Sequence, residues 1–231
     1  MTIQLLPAIL PTSYADLSEK VSLIAPPATH IQIDIVDGVF ATPSTWPIGA
    51  KADGEWQEIL AQDTGLPKWD RVEYEIDLMV ANPKEHIDAW IDAGSSTLIF
   101  HFTSCSASEL SECISRARER GTRVGLAITP SSQGYETLLN EIDLLQVMGS
   151  DTIGRQGTSL DERVYDIISR IHAMSEVVIG VDIGVSKRTI KKLITAGATH
   201  FAAGSAIFAD ASPKDAYHTL LTIAEDAIHE A

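Results

Sequence analysis

The chain has 231 residues and a mass of 25.0 kDa, with 45% hydrophobic and 21% charged residues. That is enough to bury a sizeable core, and a single domain over 1–231 is expected. The formal net charge is -15 and the basic residues are scattered, which argues against nucleic acid or an anionic membrane surface as a partner.

A small anion stays compatible with this charge if backbone N–H groups bind it. The two cysteines, Cys105 and Cys113, form no C-x-x-C pair and read as small core residues near the start of a helix. Met1 to Leu10 lacks a basic region and a cleavage-like segment, and no apolar run approaches the ~18 residues of a membrane span. The expectation is a soluble, cytoplasmic protein.

Ile3 to Leu10 is a short apolar run stopped by Pro11, as in a buried strand entering a loop. Thr12 or Ser13 caps a segment in which Leu17, Val21 and Ile24 keep helical spacing until Pro26-Pro27. Next, Ile31, Ile33 and Ile35 alternate with Gln32, Asp34 and Val36 ahead of Asp37-Gly38, a strand ending in a turn. The carboxylate of Asp34 in this β-branched run must be hydrogen-bonded, paired or used, because burying it unsatisfied is costly. Thr42 to Gly54 is the least regular stretch; Phe40, Trp46 and Ile48 could lid a pocket, though an aromatic in a long loop more often anchors it. Trp56, Ile59 and Leu60 suggest a short helix.

From Arg71 the alternation is regular. Strands are read over Val72 to Met79, which carries Glu73, Glu75 and Asp77, then Thr97 to Phe102, Arg123 to Ile128, Ile142 to Met148, Val177 to Asp182 and Thr199 to Ala203. Helices are read from Asn82 to Gly94, Ser106 to Arg120, Tyr135 to Asn140, Leu160 to Met174, Lys187 to Ala196 and Pro213 to His229. Eight near-continuous apolar strands, each followed by a helical piece, predict an α/β fold of the closed (β/α)8 TIM-barrel class rather than an open doubly wound sheet. No G-x-G-x-x-G follows the first strand, which weakens dinucleotide binding further. The carboxyl ends of barrel strands share one mouth, where Asp34, Asp77, His101, Asp182 and Ser205 would gather. The plainer alternative for any one carboxylate is that it caps the following loop.

Across nearly the whole chain these motifs resemble the ribulose-phosphate 3-epimerase family. The resemblance rests on Pro7-Ala8-Ile9-Leu10, Ile31 to Phe40, Asp77-Leu78-Met79 with Asn82-Pro83, His101, Val181-Asp182-Ile183-Gly184 and Ala203 to Phe208. It implies a ribulose-phosphate binding barrel whose enzymes invert carbon 3 of a phosphorylated ketose, such as D-ribulose 5-phosphate of the pentose phosphate route, through an enediolate. Asp34 and Asp182 would be the aspartates that exchange base and acid roles. Inversion needs two, because a proton leaves one face and arrives on the other.

The resemblance also implies a divalent metal, commonly zinc, held by two histidines and those aspartates. In this chain Gln32 and Asp77 stand where the histidines are expected. Asp34, Asp77 and Asp182, with Gln32 as a weak fourth, would form an oxygen site less suited to zinc than to magnesium or manganese. Alternatively the metal is absent and the carboxylates repel, raising their pKa values. Ala8 replaces a serine near the substrate and Val36 a methionine over the metal, while Met79 is kept; Ala8, Gln32, Met79 and His101 make up the expected substrate pocket, where His101 either touches substrate or is hydrogen-bonded inside the mouth. The phosphate would lie on Gly154, Gly157, Gly184, Gly204 and Ser205, with Arg155 either adding charge or facing solvent. Two readings follow: an epimerase with altered or absent metal dependence, or a barrel without epimerase chemistry that binds sugar phosphates or regulates. Dimers or hexamers are compatible with the family but not required by it.

Overall fold

Apolar runs bounded by Gly, Pro and Asn become the strands of one closed ring. The computed structural model describes residues 2–49, 54–155 and 157–230. Residues 50–53 of the irregular stretch, and Gln156 of the expected phosphate loop, lie outside the described residues.

The strands are β1 (Gln4–Ile9), β2 (His30–Val36), β3 (Glu73–Met79), β4 (Ser95–His101), β5 (Arg123–Ile128), β6 (Leu144–Met148), β7 (Val178–Asp182) and β8 (His200–Ala203). Each pairs in parallel with the next, and β8 closes on β1 with Gln4 opposite His200. The α-helices are α1 (Tyr14–Ile24), α2 (Gly54–Leu60), α3 (Ile87–Asp92), α4 (Ala107–Glu119), α5 (Arg163–Met174), α6 (Ile190–Ala196), α7 (Ser205–Phe208) and α8 (Pro213–Glu230), and a 3-10 turn over Tyr135–Glu141 follows β5.

Alternation along each strand divides the core. Outward residues such as Ile33, Ile76, Leu98, Phe100 and Val147 join the apolar faces of the helices, including Leu17, Ile114, Ile168, Leu193 and Leu220, in one buried cluster. Each such side chain contributes about 1.5–3 kcal/mol on burial. The inward set is different: a small apolar group of Ile99, Ala127, Leu144 and Met148 leaves much of the barrel interior to polar side chains.

Two helices start later than their periodicity predicts. The helix expected from Leu160 begins at Arg163, because Leu160 packs against Gly184 and the Asp161 N–H donates to Gly149 O. The one expected from Lys187 begins at Ile190, after a turn in which Thr189 Oγ1 donates to Gly184 O and accepts from Ser186 N–H. The helix expected from Asn82 is split by His86 into a 3-10 turn, Pro83–Glu85, and α3. Ser13, not Thr12, caps α1, its hydroxyl accepting from Asp16 N–H.

Trp46 is an anchor. It is buried among Tyr14, Trp56 and Trp90, with ring centroids 5.4 to 6.3 Å away, and pins the irregular stretch to the helices. Cys113 is buried on α4 and Cys105 half-buried before it, both as free thiols. Among the described residues no helix is long and apolar enough to cross a membrane.

Candidate active site

Parallel register places like positions of neighbouring strands at one height. Gln32 and Asp34 on β2 lie opposite Glu75 and Asp77 on β3, and Met148 on β6 lies opposite Asp182 on β7. All the polar members of these rows are buried, with Gln32 and Asp77 fully enclosed. One oxygen from each of Asp34, Asp77 and Asp182 falls within 4.8 Å of the others. Three strands far apart in sequence thus deliver three carboxylates to a single point.

Each carboxylate has its own support. Gln32 Nε2 donates to Asp34 Oδ1 at 2.9 Å, and the Ile183 N–H donates to Asp182 Oδ1 at 2.7 Å. Asp77 is engaged on both oxygens, by His101 Nε2 at 2.8 Å and by Gln146 Nε2 at 3.3 Å. Gln32 Oε1 and Gln146 Oε1 are buried without a hydrogen-bond partner. The polar contact of Gln146 was not foreseen, yet the signal was in the sequence: an amide inside the apolar run Leu144 to Met148, like the acid inside β2.

Enclosure shapes the protonation of the site. Burial, and then the charges of Asp182 and Asp77, push the Asp34 carboxyl well above its ordinary range. Burial and then Asp77 raise Asp182 to about 7, against the pull of the Ile183 N–H. Asp182 can therefore hold or release a proton near neutrality, and it stands beside a second acid, Asp34, whose carboxyl is pushed up by the same kinds of cause.

The mouth above them is narrow and partly open, with a cavity of about 30 Å³. Ala8, Asp34, Met79, Gly154, Arg155, Gly157, Asp182, Gly184, Gly204 and Ser205 all line it. Two residues expected at its wall are set back: Gln32 and His101 lie behind Asp34 and Asp77, and His101 packs edge-on against Phe40. Asp77 belongs to the carboxylate cluster rather than to the cavity wall.

The loop between β6 and α5 forms the cover. Ile153 on it packs against both the cluster of Ile99, Ala127, Leu144 and Met148 inside the barrel and the cluster of Val36, Ala41 and Met79 at the rim. Gly154, at φ +79, is where the cover meets the opposite loop, since a Cβ there would come 2.8 Å from Ala41 Cβ. Gly184, at φ +78, would meet Leu160 at the same distance. Both glycines are required by packing whatever they bind. Ile183 holds φ 72, a conformation that costs a β-branched residue strain, directly after Asp182.

Residues 4–208 match the profile described as the ribulose-phosphate 3 epimerase family. The chain belongs to the ribulose-phosphate 3-epimerase family. It is 28% identical over 223 residues to the ribulose-phosphate 3-epimerase of Bacillus subtilis (strain 168), covering 93% of this chain and 96% of that protein. It is 27% identical over 215 residues to the Schizosaccharomyces pombe (strain 972) protein of the same name, covering 90% and 88%. Among solved structures, 3-hexulose-6-phosphate synthase from Salmonella typhimurium superposes with a TM-score of 0.69 at 19% identity, over 98% of this chain and all (100%) of the other. Orotidine 5'-monophosphate decarboxylase from Sulfolobus solfataricus does so with 0.63 at 17% identity, over 99% and 100%. These likenesses show the barrel fold.

Within the family this member stands out for its metal-site chemistry. Among the described residues, the cluster able to hold an ion is the three aspartates, with no imidazole or thiolate in it. The donor set fits a divalent cation, because three mutually repelling buried carboxylates and two unpartnered amide oxygens all accept positive charge.

Proposed function

We propose that the protein epimerises a phosphorylated ketose at carbon 3, with Asp34 and Asp182 as the acid and base. The observation that carries this reading is that both carboxylates line one small cavity and Asp182 is raised to about 7. A base whose pKa lies near the working pH combines a useful deprotonated fraction with real proton affinity. One aspartate takes the proton α to the carbonyl, and the other returns one to the opposite face. Asp77, held by His101 and Gln146, keeps the electrostatics of the pair fixed. A divalent cation bound at Asp34, Asp77 and Asp182 would supply charge stabilisation to the enediolate oxygens.

The phosphate would rest at the other side of the cavity, where Gly184, Gly204 and Ser205 bring backbone close to the lining and Arg155 is the one cation among the described lining residues. This gives the substrate an orientation, with its phosphate at the β7 and β8 loops and its carbon 3 between the carboxylates. Ribulose 5-phosphate is the first candidate, on the strength of the relatives' names. A second reading, a barrel that binds sugar phosphates without turning them over, is favoured by the lack of any histidine in the three-aspartate cluster.

Deuterium exchange from solvent into carbon 3 of ribulose 5-phosphate separates the two. Exchange is expected with the intact protein and should fall by about 10²–10⁴-fold in Asp34→Asn and in Asp182→Asn. Binding of ribulose 5-phosphate without any exchange, with or without added divalent cations, would establish the binding barrel instead.

A further inference from the structure

We propose that Gln32, Gln146 and His101 form an outer shell that preorganises the three aspartates into an all-oxygen centre selective for a hard divalent cation, manganese or magnesium, over zinc. The inference rests on the placement of the cation in the proposed reaction and goes beyond it by naming the residues outside the ligand set that fix the ion's selectivity.

The first observation is chemical. The inner donors are carboxylates from β2, β3 and β7, all buried and converging within 4.8 Å. Zinc gains most from nitrogen and sulfur, whereas magnesium and manganese favour oxygen throughout. The nearest imidazole, His101, does not point its nitrogen into the cluster; its Nε2 is spent on Asp77 Oδ1 at 2.8 Å. Nitrogen has been placed one layer out, where it orients a ligand instead of being one.

The second observation concerns the amides behind the acids. Gln32 and Gln146 are fully buried, each with one amide atom on a cluster carboxylate and its Oε1 without a partner. A buried carbonyl oxygen left unpaired costs about 1–3 kcal/mol, and two of the five buried, unpartnered side-chain polar atoms among the described residues belong to the amides that hold the cluster. Each amide N–H fixes the carboxylate it touches and leaves the carbonyl oxygen of the same group free. An apolar residue at 146 would avoid that cost but would leave Asp77 Oδ2 without its donor. Outer-shell partners of ligating groups commonly govern about 10–100-fold in metal affinity.

The test uses the whole protein stripped with a chelator and then dialysed. Manganese binding is read from loss of the free-ion electron paramagnetic resonance signal, and zinc binding by competition with a chromophoric chelator at the same pH. Wild type is expected to take up one manganese. Gln146→Leu, which also removes a buried unpartnered oxygen and so should fold, is expected to bind manganese about 10–100-fold more weakly. In the double variant Gln32→His with Asp77→His, the ratio of zinc to manganese affinity should rise at least about tenfold.

No uptake of manganese by wild type, an unchanged affinity in Gln146→Leu, or an unchanged ratio in the folded double variant would each overturn the inference. The two proposals fail separately. Uptake of manganese without carbon 3 exchange removes the epimerase and keeps the centre; exchange by stripped protein that takes up no cation does the reverse.

Discussion

Asp182 shows how a single residue couples stability to chemistry. Its carboxyl is raised from 3.8 to about 7, burial being the main cause and the charge of Asp77 the next, and Asp34 is raised for the same kind of reason. A raised acid binds its proton more tightly in the folded chain than in the unfolded one. Between about pH 4 and pH 7 the native state therefore carries more protons, and stability must fall as pH rises through that window. For Asp182 alone the difference is worth about 4 kcal/mol at most. Chelated protein should accordingly melt at a higher temperature at pH 5 than at pH 8. Asp182→Asn, which holds the neutral shape at every pH, should melt higher than wild type at pH 8 and depend less on pH. Carboxylates held low by N–H donors do not blur the window, since they titrate beneath it. Asp37 is an example: burial works against it, but the N–H groups of Ala81, Val39 and Phe40 outweigh that and keep it ionised. A thermal melt of chelated wild type that is flat or rises from pH 5 to pH 8 would contradict this account of the site.

At the scale of elements, the strands are joined through the barrel interior as well as along its wall. Glu75 on β3 and His200 on β8 are not on adjacent strands, yet Glu75 Oε2 and His200 Nε2 meet at 2.8 Å with both side chains almost wholly buried. Removing one partner leaves the other buried without its mate, which typically costs about 3–5 kcal/mol, while replacing both by apolar side chains is often close to neutral. Glu75→Leu should therefore lower the denaturation midpoint sharply, and Glu75→Leu with His200→Leu should recover most of the loss. Equal midpoints for the single and double variants would mean that the pair does not act as a unit. Such pairs also mark the limit of what the sequence discloses. The strand and helix periods are local, so all eight strands could be read within about two residues and the closed ring followed from their number. Asp34 and Asp182 stood out because an acid in an apolar strand is itself an anomaly. Which partner each acid would find was not legible, because His101 reaches Asp77 and His200 reaches Glu75 from 24 and 125 residues away. The late starts of α5 and α6 were hidden for a related reason: Asp161, Ser186 and Thr189 build turns whose geometry depends on the neighbouring loops.

On the scale of the whole molecule, a chain of net charge -15 is proposed to receive a doubly charged phosphate ester through a narrow mouth. The cover is held at its ends by Arg163, whose guanidinium reaches Asp151 at 2.9 Å and Asp161 at 2.7 Å. Entry therefore meets two barriers, opening of the loop and repulsion from the molecular field, and ionic strength distinguishes them. At about 10 mM salt the screening length is about 30 Å, comparable to the molecule, and at 150 mM it is about 8 Å. Repulsion should thus weaken as salt is added, whereas ion pairs as exposed as those of Arg163 contribute little to the opening equilibrium. The association rate of ribulose 5-phosphate, followed by stopped flow, should rise about 2–5-fold between 10 and 150 mM sodium chloride, in the opposite sense to an electrostatically attracted ligand. Unphosphorylated ribulose should show no such trend. If the rate for the phosphorylated sugar falls instead, the field at the mouth is locally positive, and Arg155, the one cation among the described lining residues, dominates the net charge of the whole protein at the point of entry.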